Sequence, residues 1–457
     1  MHTKLILLIT LICSSSVLVF SFESVPLIFG TALVISITCI VVFLLNNLRI
    51  RLLIVWHVAF FYIIGFEGLL HSDELLLNYG LGIIKASQYL VFTFLITNVG
   101  YLFLFIIKKN KTISKEINSS KAITHIYYPT ISTYILLILA YLVYLLLNLE
   151  STLIAISSGR IIEENEGNLG FIYSIVNSVC STVLPAVIAF TFKYMHKYKH
   201  YIVMSIITSL PIILILFLQG TRFTLLFSIA GLTLVLLGNV KINIKNIIIL
   251  LTVGILLIFS SEIMLESRGQ GIASYLESSD KQLLESFQEV FYSREGVIKA
   301  NTWLIEYYDE NPHKYGLSSS FIFFFWIPRF IWPEKPTMLG HWLIREVQIG
   351  GYGEGHSVSY GFAGDAYADF GFVGGMFFSL ILGGFFFILD RINKKIVRSQ
   401  FNILYVAITI PFTFFALRSF QTAFMSLVGM ALFLWIFKMT LKIINNELIE
   451  FKSKENQ

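Results

Sequence analysis

The stretch at residues 217–227, FLQGTRFTLLF, interrupts a long apolar run with one charged residue, Arg222. An arginine at the centre of a membrane helix costs about 2.5–3.5 kcal/mol on insertion scales. Residues 202–238 are too long for one span and just long enough for two short ones, since about 20 apolar residues cross a bilayer. The sequence therefore predicts a tight hairpin at residues 219–222, which holds Arg222 at a membrane boundary.

The composition indicates a polytopic membrane protein. Hydrophobic residues make up 56% of the 457 residues and charged residues only 13%, which is too little charge to cover the surface of a soluble protein of this length. The 33 basic and 28 acidic residues are too evenly balanced to indicate a nucleic-acid-binding protein. Cys13, Cys39 and Cys180 all fall in apolar segments, so neither a disulfide framework nor a cysteine metal site is expected.

Residues 1–457 are predicted to form a single all-α integral membrane domain of about twelve transmembrane helices. The first is expected to be an uncleaved helix, because no convincing small-x-small cleavage site follows it. The predicted spans lie near residues 4–20, 26–46, 52–70, 88–107, 130–149, 171–192, 201–218, 223–238, 246–264, 372–389, 402–417 and 421–437.

The basic clusters predict the orientation of these helices. Most lysines fall in loops on one side of the membrane, at 108–121, 193–199, 241–245, 391–398 and in the tail after 438. By the positive-inside rule this side is the cytoplasm. Both termini are therefore expected in the cytoplasm, and the long segment 265–371 is expected on the outer face.

Several arginines fall on the outer side, where topology does not require them. Arg222 lies in the first predicted hairpin, Arg418 in a second tight hairpin, RSFQ at 418–421, and Arg268 and Arg294 in the outer segment. Arginine suits bidentate recognition of phosphate or carboxylate. Arg222 and Arg418 are therefore predicted to bind a lipid phosphate, with Arg294 and Arg268 contributing from the loop. The alternative is that they snorkel to headgroups as interfacial anchors.

The outer segment 265–371 is predicted to act as a lid over the helices. Residues 286–310 have the apolar spacing of an amphipathic helix, broken or kinked near Gly296. Residues 321–336, FIFFFWIPRFIWPEKP, combine tryptophans with three prolines, so we expect a re-entrant or interface-lying element rather than a further span.

A Gly-rich stretch at 349–375 holds the candidate catalytic groups. His356 follows the glycines directly and is predicted to be a general base, since its pKa is ordinarily close to neutral. Glu354 and Asp365 are the alternative bases, and the other role for His356 is that of a hydrogen-bonded loop residue, which is more common for an outer-face histidine. Asp365 and Asp369 are spaced to share one helical face. No metal-binding motif occurs in the outer segments, so no metal or other cofactor is expected.

The residues resemble a known family, the Wzy-type oligosaccharide repeat-unit polymerases of O-antigen and capsule. The resemblance rests on about a dozen spans, an arginine-bearing hairpin, PRFIWPEKP at 328–336 and GFAGDAYADFGFVGG at 361–375. It covers roughly residues 200–390. Where many members have GE-Y-FG, this chain has an aspartate, Asp365, followed by Tyr367, Phe370 and Gly371.

The resemblance implies a membrane glycosyltransferase of the GT-C type, in the variant shared with O-antigen ligases. It implies that a growing glycan moves from undecaprenyl diphosphate to a sugar hydroxyl on another lipid-linked repeat unit, at the outer face of a bacterial cytoplasmic membrane. The expected partners are these lipid-linked oligosaccharides, the bilayer and a polysaccharide chain-length regulator.

Two other functions fit the same hydropathy pattern. A flippase or transporter of lipid-linked oligosaccharides also has about twelve helices, but does not need a long outer segment with a histidine and clustered carboxylates, and often shows repeat symmetry. An O-antigen ligase or a peptidoglycan-type polymerase differs from a repeat-unit polymerase in its acceptor rather than in its chemistry.

Overall fold

The protein is described by a computed structural model, in which all regular structure is helical over the described part of the chain. The residues described are 2–45, 51–112, 131–158, 179–195, 199–219, 222–237, 296–325, 327, 331–345, 347, 358–396 and 402–455.

Sixteen α-helices are named here in chain order. They are α1 His2–Leu18, α2 Val25–Leu45, α3 Arg51–Phe60, α4 Phe66–Leu70, α5 Ser72–Tyr79, α6 Gly82–Thr112, α7 Ile131–Ser158, α8 Leu184–Phe190, α9 Tyr201–Leu218, α10 Arg222–Leu237, α11 Val297–Glu310, α12 Leu317–Phe324, α13 Leu339–Arg345, α14 Gly361–Ile396, α15 Asn402–Phe415 and α16 Phe420–Glu455. A 3-10 turn at Val19–Ser21 follows α1, and π turns at Phe61–Gly65 and Thr191–Met195 follow α3 and α8.

Seven helical segments within the described residues are long and apolar enough to cross a membrane. They are Val25–Phe43, Leu52–Leu70, Gly82–Ile107, Leu137–Ile154, Tyr201–Leu218, Gly361–Ile392 and Phe420–Thr440. Shorter apolar helices at Leu5–Ser21, Leu184–Tyr194, Thr224–Leu236 and Ile403–Phe415 coincide with four more predicted spans. The predicted span at 246–264 lies outside the described residues. The chain is therefore an integral membrane protein, and the total of twelve spans stays a prediction.

The chain divides into two compact units. The first comprises Met1–Ala122, Tyr292–Lys395 and Phe412–Phe424, and the second Ile123–Phe291, Ile396–Pro411 and Met425–Gln457. The predictions of a single domain and of a lid at 265–371 are left open by this division.

The first unit is built around α6, which packs against α1, α2, α3 and α11. Its core is aromatic: the Phe60 and Phe94 rings stack with centroids 3.9 Å apart, and Trp56 lies 5.2 Å from Phe386. These side chains are fully buried, and such rings supply large apolar contact areas.

Small residues let α6 and α14 approach closely in the first unit. A Cβ added to Gly383 lies 2.0 Å from the Thr97 carbonyl oxygen, and one added to Gly100 lies 2.3 Å from that of Leu380. Small residues at such crossings are the usual means by which membrane helices pack backbone to backbone. This contact packs α6 against α14, and α14 bears Asp365 and Asp369, which are described below.

The second unit contains α7–α10, and the first predicted hairpin lies within it. Helix α9 ends at Leu218 and α10 begins at Arg222, so the apolar run does divide into two helices, as the length argument predicts. The two helices pack against each other and against α8.

The outer segment is described from Gly296 onward. Helix α11 begins at Val297, directly after Gly296 with φ of 66°, which agrees with the predicted break. Helix α12 has eight residues and is about 12 Å long at 1.5 Å per residue. It is too short to cross a bilayer, as predicted for this region.

Candidate active site

Helix α14 is broken near its start. Phe370 (φ −143°, ψ 18°) and Gly371 (φ 62°, ψ −148°) leave the helical conformation, and the dihedrals of Gly371 are essentially restricted to glycine. A Cβ added there lies 2.9 Å from Nε2 of His313. The predicted span began at 372, directly after this break, whereas the helix continues back to Gly361. Asp365 and Asp369 lie in this half-helix, as their spacing indicated, and the predicted span excluded it because its polar residues lower the hydropathy.

Residues 313–319 donate hydrogen bonds to the backbone carbonyls and to one carboxylate of α14 just before the break. The Lys314 N–H donates to the Ala368 carbonyl (2.8 Å), and the Tyr315 N–H donates to that of Asp369 (3.0 Å). The fully buried Asp369 carboxylate accepts from the N–H groups of Ser318 (2.8 Å) and Ser319 (2.7 Å). These belong to the first turn of α12, where a helix leaves its N–H groups unpaired and favours negative charge. Asp369 therefore caps α12.

Asp365 is buried one turn earlier in α14, with 3% of its surface exposed. The Gln421 side-chain amide donates to Oδ1 of Asp365 (2.9 Å) and also to the Ser318 carbonyl (2.8 Å). Asp365 thereby connects α14 to the first turn of α16 and to α12.

Tyr360 lies beside Asp365 just before α14. Its hydroxyl accepts a hydrogen bond from the Gly340 N–H (2.9 Å) and lies near the Asp365 carboxylate. Burial, followed by the nearby carboxylate, raises the pKa of the Tyr360 phenol well above its ordinary value. The phenol therefore stays protonated and is available as a hydrogen-bond donor.

Arg418 is held next to the start of α14 by its backbone. It lies in the turn between α15 and α16, as predicted, and its carbonyl accepts from the Gly361 N–H (3.1 Å). The neighbouring Ala416 carbonyl accepts from Phe362 (3.2 Å). The half-exposed Arg418 guanidinium lies 5.9 Å from the Phe415 ring centroid. The structure thus brings the elements bearing Asp365 and Arg418 together.

The turn that precedes Arg222 is fixed separately, within the second unit. The Gln219 amide nitrogen lies within hydrogen-bonding distance of Oδ1 of Asn148 (3.0 Å), Oγ of Ser151 (2.9 Å) and Oγ1 of Thr152 (3.3 Å). These contacts hold the end of α9 on α7. Arg222 is the first residue of α10, and its side chain is outside the described part.

The remaining predicted site residues lie outside the described residues. They are His356, Glu354, Arg294 and Arg268. Among the described residues, no group of three or more His, Cys, Asp or Glu side chains is arranged to hold a metal ion.

His313 and Lys314 belong to this region but were not singled out from the sequence. The His313 ring stacks on Tyr308 (centroids 5.3 Å apart, 21° between planes), and burial raises the pKa of the Tyr308 phenol. The Lys314 ammonium lies 3.3 Å from the Trp342 ring centroid and close enough for its charge to act on Asp365. The only local signal was their place in a polar loop, NPHKYG at 311–316.

Comparison with protein families identifies a family for this chain. The model for the family described as O-antigen polysaccharide polymerase Wzy matches residues 3–444, nearly the whole chain. Neither the curated proteins nor the solved structures contain a significant match.

Proposed function

The chain belongs to the O-antigen polysaccharide polymerase Wzy family, and we propose that it joins oligosaccharide repeat units carried on undecaprenyl diphosphate. In the reaction, the bond between the donor's anomeric carbon and the diphosphate oxygen breaks. The acceptor hydroxyl oxygen bonds to that carbon and gives its proton to a base. The diphosphate lipid leaves with the bonding electron pair.

The arginines are assigned to the leaving group. A departing diphosphate gains negative charge, which preorganised cationic donors stabilise without a metal. We assign Arg222 and Arg418 as its main ligands, with Arg294 and Arg268 contributing from the outer segment. The observation that carries this assignment is the backbone contact between Arg418 and Gly361, because it fixes a half-exposed arginine at the start of the helix that bears Asp365.

His356 is assigned as the base, with Glu354 and Asp365 as the other candidates. Asp365 is 3% exposed and is held by Gln421, an environment that suits a positioning group better than one that meets an acceptor sugar. A base must come within hydrogen-bonding reach of the hydroxyl proton it removes. His356 follows a Gly-rich run that allows close approach of a substrate.

The proposal includes the setting of the reaction. The family and the apolar helices indicate a membrane enzyme of polysaccharide synthesis, consistent with the bacterial inner membrane. We propose a GT-C-type fold with both termini in the cytoplasm, the site on the outer face, and a chain-length regulator as a protein partner.

Purified protein in liposomes is expected to convert added lipid-linked repeat units into a ladder of longer glycans, and to do so in the presence of EDTA. Arginines then supply the charge stabilisation that a divalent cation supplies elsewhere. The ladder is measured by gel electrophoresis of the released glycans.

Three other outcomes of this assay would contradict the proposal. Movement of units across the bilayer with no ladder contradicts the polymerase and supports a flippase. A ladder that EDTA abolishes and a divalent cation restores contradicts the metal-independent site. Transfer only to a lipid A core acceptor supports the O-antigen ligase.

The His356→Ala variant is expected to reduce ladder formation about 100- to 10,000-fold, the usual contribution of a general base. Single lipid-linked units then remain on the outer face. The same ladder assay compares it with Glu354→Gln and Asp365→Asn, and with His2→Ala at the N-terminus as a control. A larger loss from either carboxylate variant reassigns the base, and normal long chains from His356→Ala remove histidine from the mechanism.

A further inference from the structure

Four aromatic rings form a row along α11 in the first unit. Tyr79 and Trp303 meet edge to face with centroids 6.3 Å apart, and Tyr307 and Trp342 do so at 5.6 Å. Trp303 and Tyr307 are four residues apart on α11 and therefore share a helix face. All four side chains are half-buried, so each keeps part of its ring on the surface. These four residues are called the aromatic row.

Charged groups border the α11 part of the aromatic row, whereas Leu77 and Leu81 beside Tyr79 are exposed apolar residues. Glu306, Asp309 and Glu310 of α11 are exposed, and Asp309 pairs with Lys85 at 2.7 Å. Neither α5, which bears Tyr79, nor α11 is among the segments apolar enough to cross a membrane. The α11 part of the row therefore faces an aqueous surface.

Helix α12 offers a useful contrast. Phe323 is 65% exposed and Phe324 42%, and Ile331 beyond the helix is 65% exposed. This is the apolar surface expected of an element in contact with lipid. The acidic residues beside the aromatic row are incompatible with the same placement, because charges are costly in the hydrocarbon region.

Positively charged groups already occupy ring faces within the row. The Lys299 ammonium lies 4.5 Å from the Trp303 centroid and 5.6 Å from that of Tyr79, and Lys314 lies over Trp342. An aromatic face attracts such groups because its quadrupole is negative there. The polarised C–H groups of a sugar ring carry a weaker positive charge of the same kind and suit the same faces.

The row also reaches the candidate active site. Trp342 lies in α13, where the N–H of Gly340 donates to the Tyr360 hydroxyl beside Asp365. At the other end, Tyr79 belongs to α5. A chain of sugar rings that starts at Asp365 therefore has two pairs of aromatic side chains along α11 to contact.

We propose that the aromatic row is a binding site for the glycan chain, with sugar rings packing against the exposed parts of the four side chains. The carboxylates of Glu306, Asp309 and Glu310 accept hydrogen bonds from sugar hydroxyls. This inference rests on the proposed function only for the identity of the glycan. Its role is to retain several units of the chain near the site, so that loss of the row shortens the product.

The test is direct binding of defined oligosaccharides to the full chain in nanodiscs. Fluorescently end-labelled fragments of one to four repeat units are released by partial acid hydrolysis from the surface polysaccharide of cells that express this chain. Fluorescence anisotropy is expected to show tighter binding of longer fragments. The double variant Trp303→Ala/Trp342→Ala is expected to bind them at least tenfold more weakly.

Trp435→Ala is the matched control, because Trp435 is 57% exposed on a membrane-spanning segment of α16. It is expected to bind as the parent protein does. If the double alanine variant does not fold, Trp303→Phe/Trp342→Phe replaces it and is expected to show an intermediate loss. Absence of binding to the parent protein, or equal binding by parent and row variants, overturns the proposal.

This measurement is separate from the joining reaction. Chain joining by row variants is expected to continue but to give shorter products in the liposome assay. A protein that binds fragments through the row yet joins no units contradicts the proposed function alone. A protein that joins units but binds no fragment contradicts the row alone.

Discussion

Arg418→Lys is expected to reduce polymer synthesis by about 100-fold or more while leaving the protein folded and in the membrane. Removal of one preorganised donor to a developing oxyanion costs about that much in other enzymes. Lysine keeps the positive charge but loses the planar fork that binds two phosphate oxygens at once. The carbonyl of residue 418 accepts from the Gly361 N–H, a backbone contact that the substitution leaves in place. The loss is measured as the rate of ladder formation per mole of purified protein.

Arg391→Lys provides the matched control, because Arg391 lies in α14 at the end of the helix remote from Gly361. It is expected to give the parent's amount of polymer. Arg222→Lys is expected to behave like Arg418→Lys. If both Arg222→Lys and Arg418→Lys form polymer at nearly the parent's rate, the assignment of the two arginines as bidentate diphosphate ligands is wrong. They are then interfacial anchors.

Gly371→Ala is expected to lower the stability of the protein. An alanine at φ 62° and ψ −148° is strained by about 1–3 kcal/mol. Its Cβ additionally lies 2.9 Å from Nε2 of His313, so the imidazole must move off Tyr308. The thermal midpoint of the purified protein is expected to fall. It is measured from the fraction of protein that stays monodisperse in detergent after heating.

Gly30→Ala separates this effect from a general cost of removing glycine in a membrane helix. A Cβ added to Gly30 meets nothing within 4 Å, and alanine has the higher helix propensity. Its thermal midpoint is expected to match or exceed that of the parent. If both Gly371→Ala and Gly30→Ala unfold at the parent's thermal midpoint, α14 is not broken at Gly371 in the protein in solution.

Hydropathy and chain length predicted the membrane class and most of the helices correctly. Helices α9 and α10 end and begin at the residues that the length argument required, and the turn before α16 holds Arg418 as predicted. Such features follow from local properties, because a span needs a minimum apolar length and a charged residue is driven to its end.

The start of α14 shows where local reasoning fails. Residues 361–369 are too polar to be counted in the apolar span, yet they extend α14 because other elements hydrogen-bond to their buried side chains. The carboxylate of Asp369 caps α12, and Asp365 accepts from Gln421. Those partners lie about 50 residues away in either direction along the chain, so no local pattern contains them.

By itself, the sequence determined that this is an all-helical membrane protein with arginines in two tight hairpins, and its motifs identified the polymerase family that the family match confirms. Only the tertiary structure decided which polar groups meet. It assigned Asp369 to a helix cap, placed Arg418 at the start of α14, and assembled Tyr79, Trp303, Tyr307 and Trp342 into one row. The physical reason is that hydropathy acts along a segment, whereas capping, ring contact and side-chain hydrogen bonds depend on residues that meet only when distant helices pack.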